Sequence, residues 1–264
     1  MSGVRIPPPR PFNRVVLIQT ILITGASSGI GEALSLRYAK KDVRLILFGR
    51  NRERLDLVAK KASDLGAATI LVNEDIRNIS AIEDTIKKID LAYPIDLSIL
   101  NAGISNYGEP ETLDRIQPLF DVNVQGLLNM LIPILRCYES RGHGQIALMS
   151  SLASFKGFRG KSAYCASKAA VRILGEGLRE SYASQGIKIS VLCPGFVKTP
   201  LTDKNKFRMP FLISADQAAK RIQCGLEKNK ARVSFPLPLA IAAWFMSALS
   251  PALSERISRL LPYK

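Results

Sequence analysis

The segment TILITGASSGIG, residues 20–31, places three glycines, Gly25, Gly29 and Gly31, directly after an apolar run. The apolar run predicts a buried strand, and residues 30–40 predict a helix. A glycine-rich turn between a strand and a helix lets the backbone approach an anionic group closely, and the helix N-terminus adds partial positive charge there. The segment therefore predicts a site for a nucleotide pyrophosphate, although a turn that binds nothing could carry the same glycines.

The composition indicates a single domain in a reducing compartment. The chain has 264 residues, of which 47% are hydrophobic, and this is enough for one substantial core. Its formal net charge of +15 favours anionic partners without choosing among nucleotide, nucleic acid and lipid. Four cysteines without a CxxC pair and a single histidine argue against a metal site and favour a cytoplasmic location. Residues 1–14, rich in proline and arginine, are expected to form a flexible extension.

Short apolar runs alternate with longer amphipathic ones along most of the chain. This alternation predicts an α/β fold of the Rossmann type, a doubly wound parallel sheet in three layers, as a single domain over residues 15–235. Ser80 and Glu83 form the pattern of a capping box at the start of one helix. Pro118 and Pro133 are expected near the ends of another helix or at a bend in it. The later strands are predicted at residues 43–48, 68–72, 97–100, 145–149 and 188–193, and further helices at residues 52–65, 80–92, 113–138 and 162–183.

The end of the second predicted strand, LFGRN, indicates which dinucleotide is preferred. Gly49 and Arg50 stand where a site selective for NAD places Asp or Glu for the ribose 2′-hydroxyl. An arginine can instead pair with a 2′-phosphate through its fork of donors, so NADP(H) is favoured over NAD(H). Arg52 could share this role, and Arg50 could also be no more than the start of a charged helix.

The segment YCASK lies on a predicted helix and places Tyr164 and Lys168 on one face of it. A nearby lysine ammonium favours the phenolate and is expected to lower the pKa of Tyr164 from its usual value of about 10. The tyrosine could then donate or accept a proton near neutral pH. Such a pair is common on ordinary helices, so its meaning depends on the polar groups expected nearby.

Several of these polar groups follow predicted strands, where ligands bind in an open α/β sheet. Ser151 ends one strand, the motif NAG at residues 101–103 ends another, and Pro194 ends a third. Thr199 lies just beyond the third strand, whereas Asn123 interrupts an otherwise apolar helix.

The motifs TGASSGIG, NAG, Asn123, Ser151, YCASK and PG, in this order, resemble the classical short-chain dehydrogenase/reductase family over residues 20–199. The resemblance implies interconversion of a carbonyl and an alcohol by hydride transfer, with Tyr164 as general acid/base and Ser151 polarising the carbonyl. It implies that Lys168 binds the nicotinamide ribose and that Asn123 holds a water of the proton relay. The implied cofactor contacts are Gly25, Ser27, Ser28, Gly29, Ile30, Gly31, Arg50, Asp75 (on the adenine), Asn101, Ala102, Gly103, Tyr164, Lys168, Pro194, Gly195, Val197 and Thr199.

The substrate is expected to be a small carbonyl or alcohol compound beneath a mobile lid at residues 198–213. A lipid-like or acyl substrate would suit a lid that mixes cationic and apolar residues, although such a lid would more ordinarily turn its apolar residues inward. Phe155 and Phe158 are expected to add to the same pocket. The lid residues in question are Lys204, Lys206, Phe207, Arg208, Met209, Phe211 and Leu212.

Residues 236–264 are expected to form an apolar C-terminal helical segment. The region 233–253 carries no charge, but its three prolines leave a continuous apolar helix too short to cross a bilayer. The preferred interpretation is a final strand at residues 232–235 and a helix packed on the core or on a second subunit. Association with the inner surface of a membrane, beside a basic helix at residues 255–261, comes second, and a transmembrane span comes last.

The family resemblance further implies a homodimer or homotetramer, and other functions fit fewer features. A catalytically silent regulatory protein that binds NADP(H) would not need Ser151, Tyr164 and Lys168 together. Nucleic-acid binding is suggested by charge alone, without an aromatic-basic strand motif or a recognition helix, and is not expected. An epimerase or dehydratase on this fold usually has a larger substrate domain.

Overall fold

The computed structural model describes residues 20–106, 111–205 and 208–259, so the predicted extension at residues 1–14 lies outside the described part. Seven of its strands form one parallel sheet: β1 (Thr20–Thr24), β2 (Arg44–Phe48), β3 (Ala68–Val72), β4 (Leu97–Leu100), β5 (Gly144–Met149), β6 (Ile187–Pro194) and β9 (Arg232–Phe235). Two further strands, β7 (Val197–Lys198) and β8 (Ile213–Ser214), form a separate short pair. The order in the main sheet is β3-β2-β1-β4-β5-β6-β9.

The strand order reverses between β1 and β4, which creates the crevice where ligands bind in doubly wound sheets. The helices that connect the strands are α1 (Gly29–Tyr38), α2 (Arg52–Asp64), α3 (Ile79–Ala92), α4 (Ile116–Phe120), α5 (Leu127–Arg141), α6 (Ser162–Tyr182) and α7 (Ala215–Glu227). Two more, α8 (Leu237–Ala248) and α9 (Pro251–Arg259), follow the last strand.

Helices cover both faces of the sheet because the central strands are apolar on both faces. One core cluster joins the sheet to α1, α2 and α7, through residues such as Leu34, Leu55 and Ile222. The other joins it to α3, α5 and α6, through residues such as Ile86 and Val171. This confirms the predicted three-layer, Rossmann-type single domain.

The start of α3 differs from the predicted capping box. The helix begins at Ile79 with Asn78 as its N-cap, so Ser80 already lies inside the first turn. A turn that begins at Asp75 directly precedes the helix, and in it the amide of Asn78 donates to the Asp75 carbonyl. The helix therefore begins before Ser80. Glu83 instead accepts a hydrogen bond from Arg136 on α5, at 2.7 Å. The predicted capping box is therefore wrong.

The helix predicted at residues 113–138 is interrupted, but the interruption lies at neither Pro118 nor Pro133. Between α4 and α5 lies a π-helical segment, Asp121–Gly126, whereas Pro133 lies inside α5. The widened turn occurs where Asn123 bonds across to Ile104 and Ser167. The deviation from α-helical geometry therefore coincides with a long-range polar contact and contains neither proline.

The alternation of strand and helix continues after β6 with α7 and β9. Strand β9 matches the predicted residues 232–235 and pairs with β6, with Leu192 opposite Val233. The limits of the domain at residues 15 and 235 stay a prediction.

Candidate functional site

A cavity of about 580 Å³ opens at the carboxyl edge of the sheet, beside the strand-order reversal. It brings together nearly all of the predicted site residues: Gly25, Ser27, Ser28, Gly29, Ile30, Arg50, Asp75, Asn101, Ala102, Gly103, Ser151, Tyr164, Lys168, Pro194, Gly195, Val197 and Thr199. Gly31 and Asn123 are the exceptions, and both lie just behind its wall.

The glycine turn has the backbone that the sequence predicts. Gly25 and Gly29 have φ angles of +64° and +60°, which side chains with a Cβ rarely adopt. A Cβ at Gly31 would lie 2.1 Å from the carbonyl oxygen of Gly25, so this glycine lets α1 start against the preceding turn. The first amides of α1, at Gly29, Ile30 and Gly31, have no intrahelical acceptor and point toward the cavity end of the helix. The turn therefore forms an anion cradle.

Gly31→Ala should damage this cradle because the clashing atom belongs to the backbone and cannot rotate away. We expect the free energy of unfolding to fall by about 1–3 kcal/mol, as in overpacked cores, and nucleotide affinity to fall with it. Chemical denaturation and nucleotide titration would measure the two effects. Gly177→Ala on α6 is the matched control, since a Cβ there meets nothing within 4 Å and should stabilise the helix by up to about 1 kcal/mol. Equal stability of the two variants would contradict the packing role assigned to Gly31.

Asn101 has a structural role that the motif alone did not indicate. Its Nδ2 donates to the carbonyl of Thr24 at 3.0 Å, and the amide of Ala102 donates to Thr24 Oγ1 at 2.9 Å. These bonds tie the end of β4 to the end of β1. Asn101 therefore holds the glycine turn in place in addition to lining the cavity.

Asn123 uses its side chain to join two elements. Its Oδ1 accepts from the amide of Ile104 at 2.8 Å, while Nδ2 donates to the Ile104 carbonyl and to Ser167 Oγ, each at 3.0 Å. The side chain is buried and connects the segment after β4 to α6. Both amide hydrogens are thus engaged within the protein, and the role of Asn123 in holding a water stays a prediction.

The far end of the cavity is strongly charged. Arg77 bonds both oxygens of Asp75, with its Nη2 2.7 Å from Oδ2, and holds the pKa of that carboxyl at about 2. Arg50 lies farther from the same carboxylate, with Nη1 3.6 Å from Oδ2, and its side chain is mostly exposed. Arg77 is therefore the main partner of Asp75. The guanidinium of Arg50 lines the cavity, and its ion pair among the described residues is the long one to Asp75.

Arg54, and not Arg52, is the second arginine at the charged end of the cavity. Arg52 turns outward and its Nε donates to both carboxylate oxygens of Asp56 at 3.0 Å, whereas Arg54 lines the cavity. The suggestion that Arg52 shares the role of Arg50 is therefore wrong. Helical geometry explains the difference, because residues two apart on α2 face different sides. The side chain of Asn51 caps this helix through the amide of Arg54.

Ser151 and Tyr164 meet at the other end of the cavity. Ser151 caps a 3₁₀ turn, Leu152–Phe155, by accepting from the amide of Ala153 at 3.1 Å. Burial raises the pKa of Tyr164 to about 12, against an opposing hydrogen bond with Ser151. The expectation that the lysine of YCASK lowers this pKa is therefore wrong, since desolvation of the phenolate outweighs every attractive contact.

Lys168 is only 4% exposed and lies deep in the cavity wall. Its Nζ donates to the carbonyl of Met149 at 2.9 Å and lies 6.0 Å from the centre of the Tyr164 ring. Burial lowers the pKa of Lys168 to about 8. Gly103 makes room for this group, because a Cβ there would lie 3.1 Å from Nζ.

The two ends of the predicted lid are held together by strand pairing. Strands β7 and β8 pair Val197 with Ile213, so the two ends of the intervening segment lie side by side. Thr202, which no sequence motif indicated, braces the turn: its Oγ1 accepts from the amide of Thr199 at 3.0 Å and donates to the Val197 carbonyl at 2.6 Å. Lys204 also lines the cavity.

The lid does not turn all of its apolar residues inward. Phe211 and Leu212 are exposed, and Phe211 has a φ of +56° that presents it at the tip of a turn. The interpretation that the lid packs its apolar residues inward is therefore wrong for these two. Lys206 and Phe207 of the predicted lid lie outside the described residues.

Phe155 and Phe158, expected in the substrate pocket, are absent from the described lining of this cavity. Phe155 packs with Leu152 against α8, and the guanidinium of Arg172 lies 4.6 Å from its ring centre. Lys156 lies over Phe158, with Nζ 5.7 Å from the ring centre. The chain leaves Ser151 in a 3₁₀ turn, which points the following aromatics away from the cavity.

The cavity fits an extended dinucleotide. Its glycine turn provides a cradle that a Cβ would fill, its far end holds the guanidinium groups of Arg50 and Arg54, and its near end holds a hydroxyl, a phenol and an ammonium. These are the groups that a pyrophosphate, a ribose phosphate and a reacting carbonyl would need.

Comparisons with known proteins agree with this geometry. A sequence model described as short chain dehydrogenase matches residues 19–209. The chain is 34% identical over 246 residues to an uncharacterized oxidoreductase of Myxococcus xanthus, covering 92% of this chain and 97% of that protein. It is 34% identical to the 11-beta-hydroxysteroid dehydrogenase-like 2 protein of Arabidopsis thaliana, covering 83% and 73% of the two chains. A short-chain dehydrogenase from Sphingobium yanoikuyae, solved in complex with NADPH, superimposes with a TM-score of 0.75 at 25% identity, covering 93% and 98%.

Proposed function

Because the chain belongs to the short chain dehydrogenase family, we propose that it interconverts a carbonyl and an alcohol with NADP(H), with Tyr164 as the general acid/base. The chain is an oxidoreductase that acts on CH–OH or C=O groups. The proposed role of Tyr164 with NADP(H) is supported by one observation: Ser151, Tyr164 and Lys168 line the same cavity as the glycine turn.

The proton chemistry derives from the positions of Tyr164 and Ser151. When bound, the dinucleotide supplies or accepts the hydride, and the protein supplies orientation and a proton. In carbonyl reduction the Tyr164 hydroxyl would donate its proton to the carbonyl oxygen, and Ser151 would donate a hydrogen bond to the same oxygen. With its pKa raised by burial to about 12, Tyr164 is protonated at neutral pH, as the proton donor of carbonyl reduction must be.

Lys168 would act both on the bound cofactor and on Tyr164. Its ammonium is fixed by the Met149 carbonyl and is available to a ribose hydroxyl of the bound cofactor. A positive charge at this depth would also stabilise negative charge that develops on the tyrosine oxygen when the proton leaves. This role supports Tyr164 in the transition state without lowering its resting pKa.

We propose that Arg50 and Arg54 select NADP(H) over NAD(H). Both line the end of the cavity that lies beyond β2, where the 2′-phosphate of an NADP molecule would lie. No carboxylate occupies position 50, and Ser27 adds a hydroxyl to the same end. The NADPH-bound relative has the same fold, which is consistent with this proposal.

Arg50→Ala is expected to weaken NADPH binding about tenfold and to leave NADH binding nearly unchanged, because a charge-assisted contact to phosphate contributes about 1.5 kcal/mol or more. Titration followed by reduced-nicotinamide fluorescence would measure both affinities. Arg52→Ala is the matched control, since Arg52 pairs with Asp56 outside the cavity, and it should change neither. Equal loss for both cofactors in Arg50→Ala would contradict the 2′-phosphate assignment.

The proposed substrate is an apolar or lipid-like ketone. Phe211 and Leu212 of the lid are exposed to solvent, and one relative is named for a hydroxysteroid dehydrogenase. A screen of steroid, long-chain and short polar ketones, with NADPH oxidation followed by absorbance, tests this proposal. Turnover of short polar ketones alone would contradict it, and no turnover with any ketone would contradict the proposed reductase.

A homo-oligomer is the proposed assembly. Ile132 on α5 and Ile173 on α6 are large apolar side chains exposed on the outer helical layer. Burying them against a second copy would remove apolar surface from water. Light scattering at micromolar concentration tests this, and a monomeric mass would contradict it.

A reducing compartment, the cytoplasm, is proposed as the location. The four cysteines all carry free thiols, and Cys224 is exposed. Disulfide-free exposed thiols are typical of such compartments.

A further inference from the structure

Helix α8 is packed with its large apolar side chains facing outward. Toward the protein it presents Leu239, Ala240 and Ala243. Its outward residues are Leu237, Ile241, Trp244 and Phe245, which are 68%, 57%, 60% and 54% exposed. At about 100° per residue these four positions fall on one side of the helix. We call them the outer face of α8. A helix that packs one leucine and two half-buried alanines on the protein and exposes its aromatic residues has the pattern of an element with a further apolar partner.

Helix α8 lies beside the candidate active site. The helix packs on the 3₁₀ turn that follows Ser151, through Leu152 and Phe155. A Cβ at Gly195, which lines the cavity, would lie 3.3 Å from Leu239 Cδ1. The inner side of α8 therefore borders the carboxyl edge of the sheet, where the cavity opens, and the outer face lies on the opposite side of this one helix.

The same edge carries a strong excess of positive charge. Two segments follow strands at this edge: residues 152–161 after β5 and the described part of residues 198–212 after β7. Together their described residues include six cations and one acid, namely Lys156, Arg159, Lys161, Lys198, Lys204 and Arg208 against Asp203. An apolar helix face together with cationic segments at the neighbouring sheet edge complements the hydrocarbon and the phosphates of an anionic lipid surface.

We propose that α8 docks on the surface of a bilayer that contains anionic lipid, with its outer face in the headgroup region. The helix has 12 residues and is therefore about 18 Å long, too short for a hydrocarbon core of about 30 Å, so it would lie in the interface. The one described helical stretch long and apolar enough to span, residues 113–141, is mostly buried inside the protein. A tryptophan on an interfacial helix is typical of such contacts.

A second copy of the chain is the competing occupant, and the charge argues against it. A symmetric contact through α8 would bring the two basic edges toward each other, and like charges repel across an interface. An anionic lipid surface instead neutralises them. The docking does not depend on the proposed reductase activity, because its test measures binding and not turnover.

Trp244 is the only tryptophan in the chain, so tryptophan emission reports on the outer face of α8 alone. The full-length protein would be mixed with vesicles of phosphatidylcholine and phosphatidylserine in a ratio of 3:1, chosen as about one anionic lipid in four, and with pure phosphatidylcholine vesicles. We expect a shift of the emission to shorter wavelength and sedimentation with the anionic vesicles, both reduced by high salt. No shift and no sedimentation with either vesicle would overturn the proposal.

Two substitutions make the test specific. Phe245→Glu should lower the vesicle partition coefficient at least tenfold, while Leu91→Glu, at an 87% exposed position of α3, should leave it unchanged. Both positions are exposed, so the fold should survive, and circular dichroism would check this. Equal loss in both variants would overturn the proposal. So would a vesicle-independent dimer, seen by light scattering, that Phe245→Glu converts to a monomer.

Discussion

Tyr164→Phe should reduce the turnover number for carbonyl reduction by about 10²–10⁴-fold, the usual contribution of a positioned general acid. The substitution removes one hydroxyl and keeps the ring, so the fold and the nucleotide affinity should stay close to those of the parent protein. The measurement is steady-state reduction of an active ketone, together with a separate titration of NADPH. An unchanged dissociation constant with lost turnover would place the defect in the proton step.

Tyr182→Phe is the matched control for this variant. Tyr182 ends the same helix, and its hydroxyl bonds Glu139 at 2.7 Å on the far side from the cavity. Its removal should change turnover by less than about twofold, as for an ordinary surface substitution. If Tyr164→Phe kept more than a tenth of the activity, the proton would have to come from another group.

The pattern of apolar runs predicts the sheet well, because each central strand is buried on both faces and has few polar residues. The predicted strand at residues 97–100 coincides with the central strand β4, and the one at residues 68–72 coincides with β3, an edge strand that is mostly half-buried. The motif residues also come together as predicted, since parallel strands end at one edge and their next residues surround one crevice.

The properties that the sequence did not predict depend on the depth and direction of side chains. The sign of the Tyr164 pKa shift depends on how much water the fold removes, which spacing on a helix cannot indicate. Which of Arg52 and Arg54 lines the cavity depends on which side of α2 faces the edge of the sheet. Likewise, an uncharged segment shows that α8 is apolar but not which of its sides packs on the core.

Lys168→Met should make the protein more stable at neutral pH and nearly inactive. The folded-state pKa of Lys168, about 8, lies below the usual value of about 10.4 for a lysine. The charged form is therefore disfavoured by folding, by about 3 kcal/mol at 1.36 kcal/mol per pKa unit. Losing the hydrogen bond to Met149 costs about 1 kcal/mol. The free energy of unfolding at pH 7 should therefore rise by about 2 kcal/mol.

The pH dependence separates this explanation from simple improvement of packing. Below pH 8 both the folded and the unfolded parent protein hold the lysine proton, so the full desolvation penalty is present. Between pH 8 and about 10.4 the folded state loses the proton first, and the stability of the parent protein rises toward that of the variant. Denaturation of both proteins at pH 7 and at pH 10 would measure this convergence. Lys188→Met, at an exposed position of β6, should shift stability by less than about 0.5 kcal/mol at either pH. A constant difference between parent and Lys168→Met across this range would mean that Lys168 is not buried as an ammonium. In that case, it could not provide the positive charge that the proposed mechanism places beneath Tyr164.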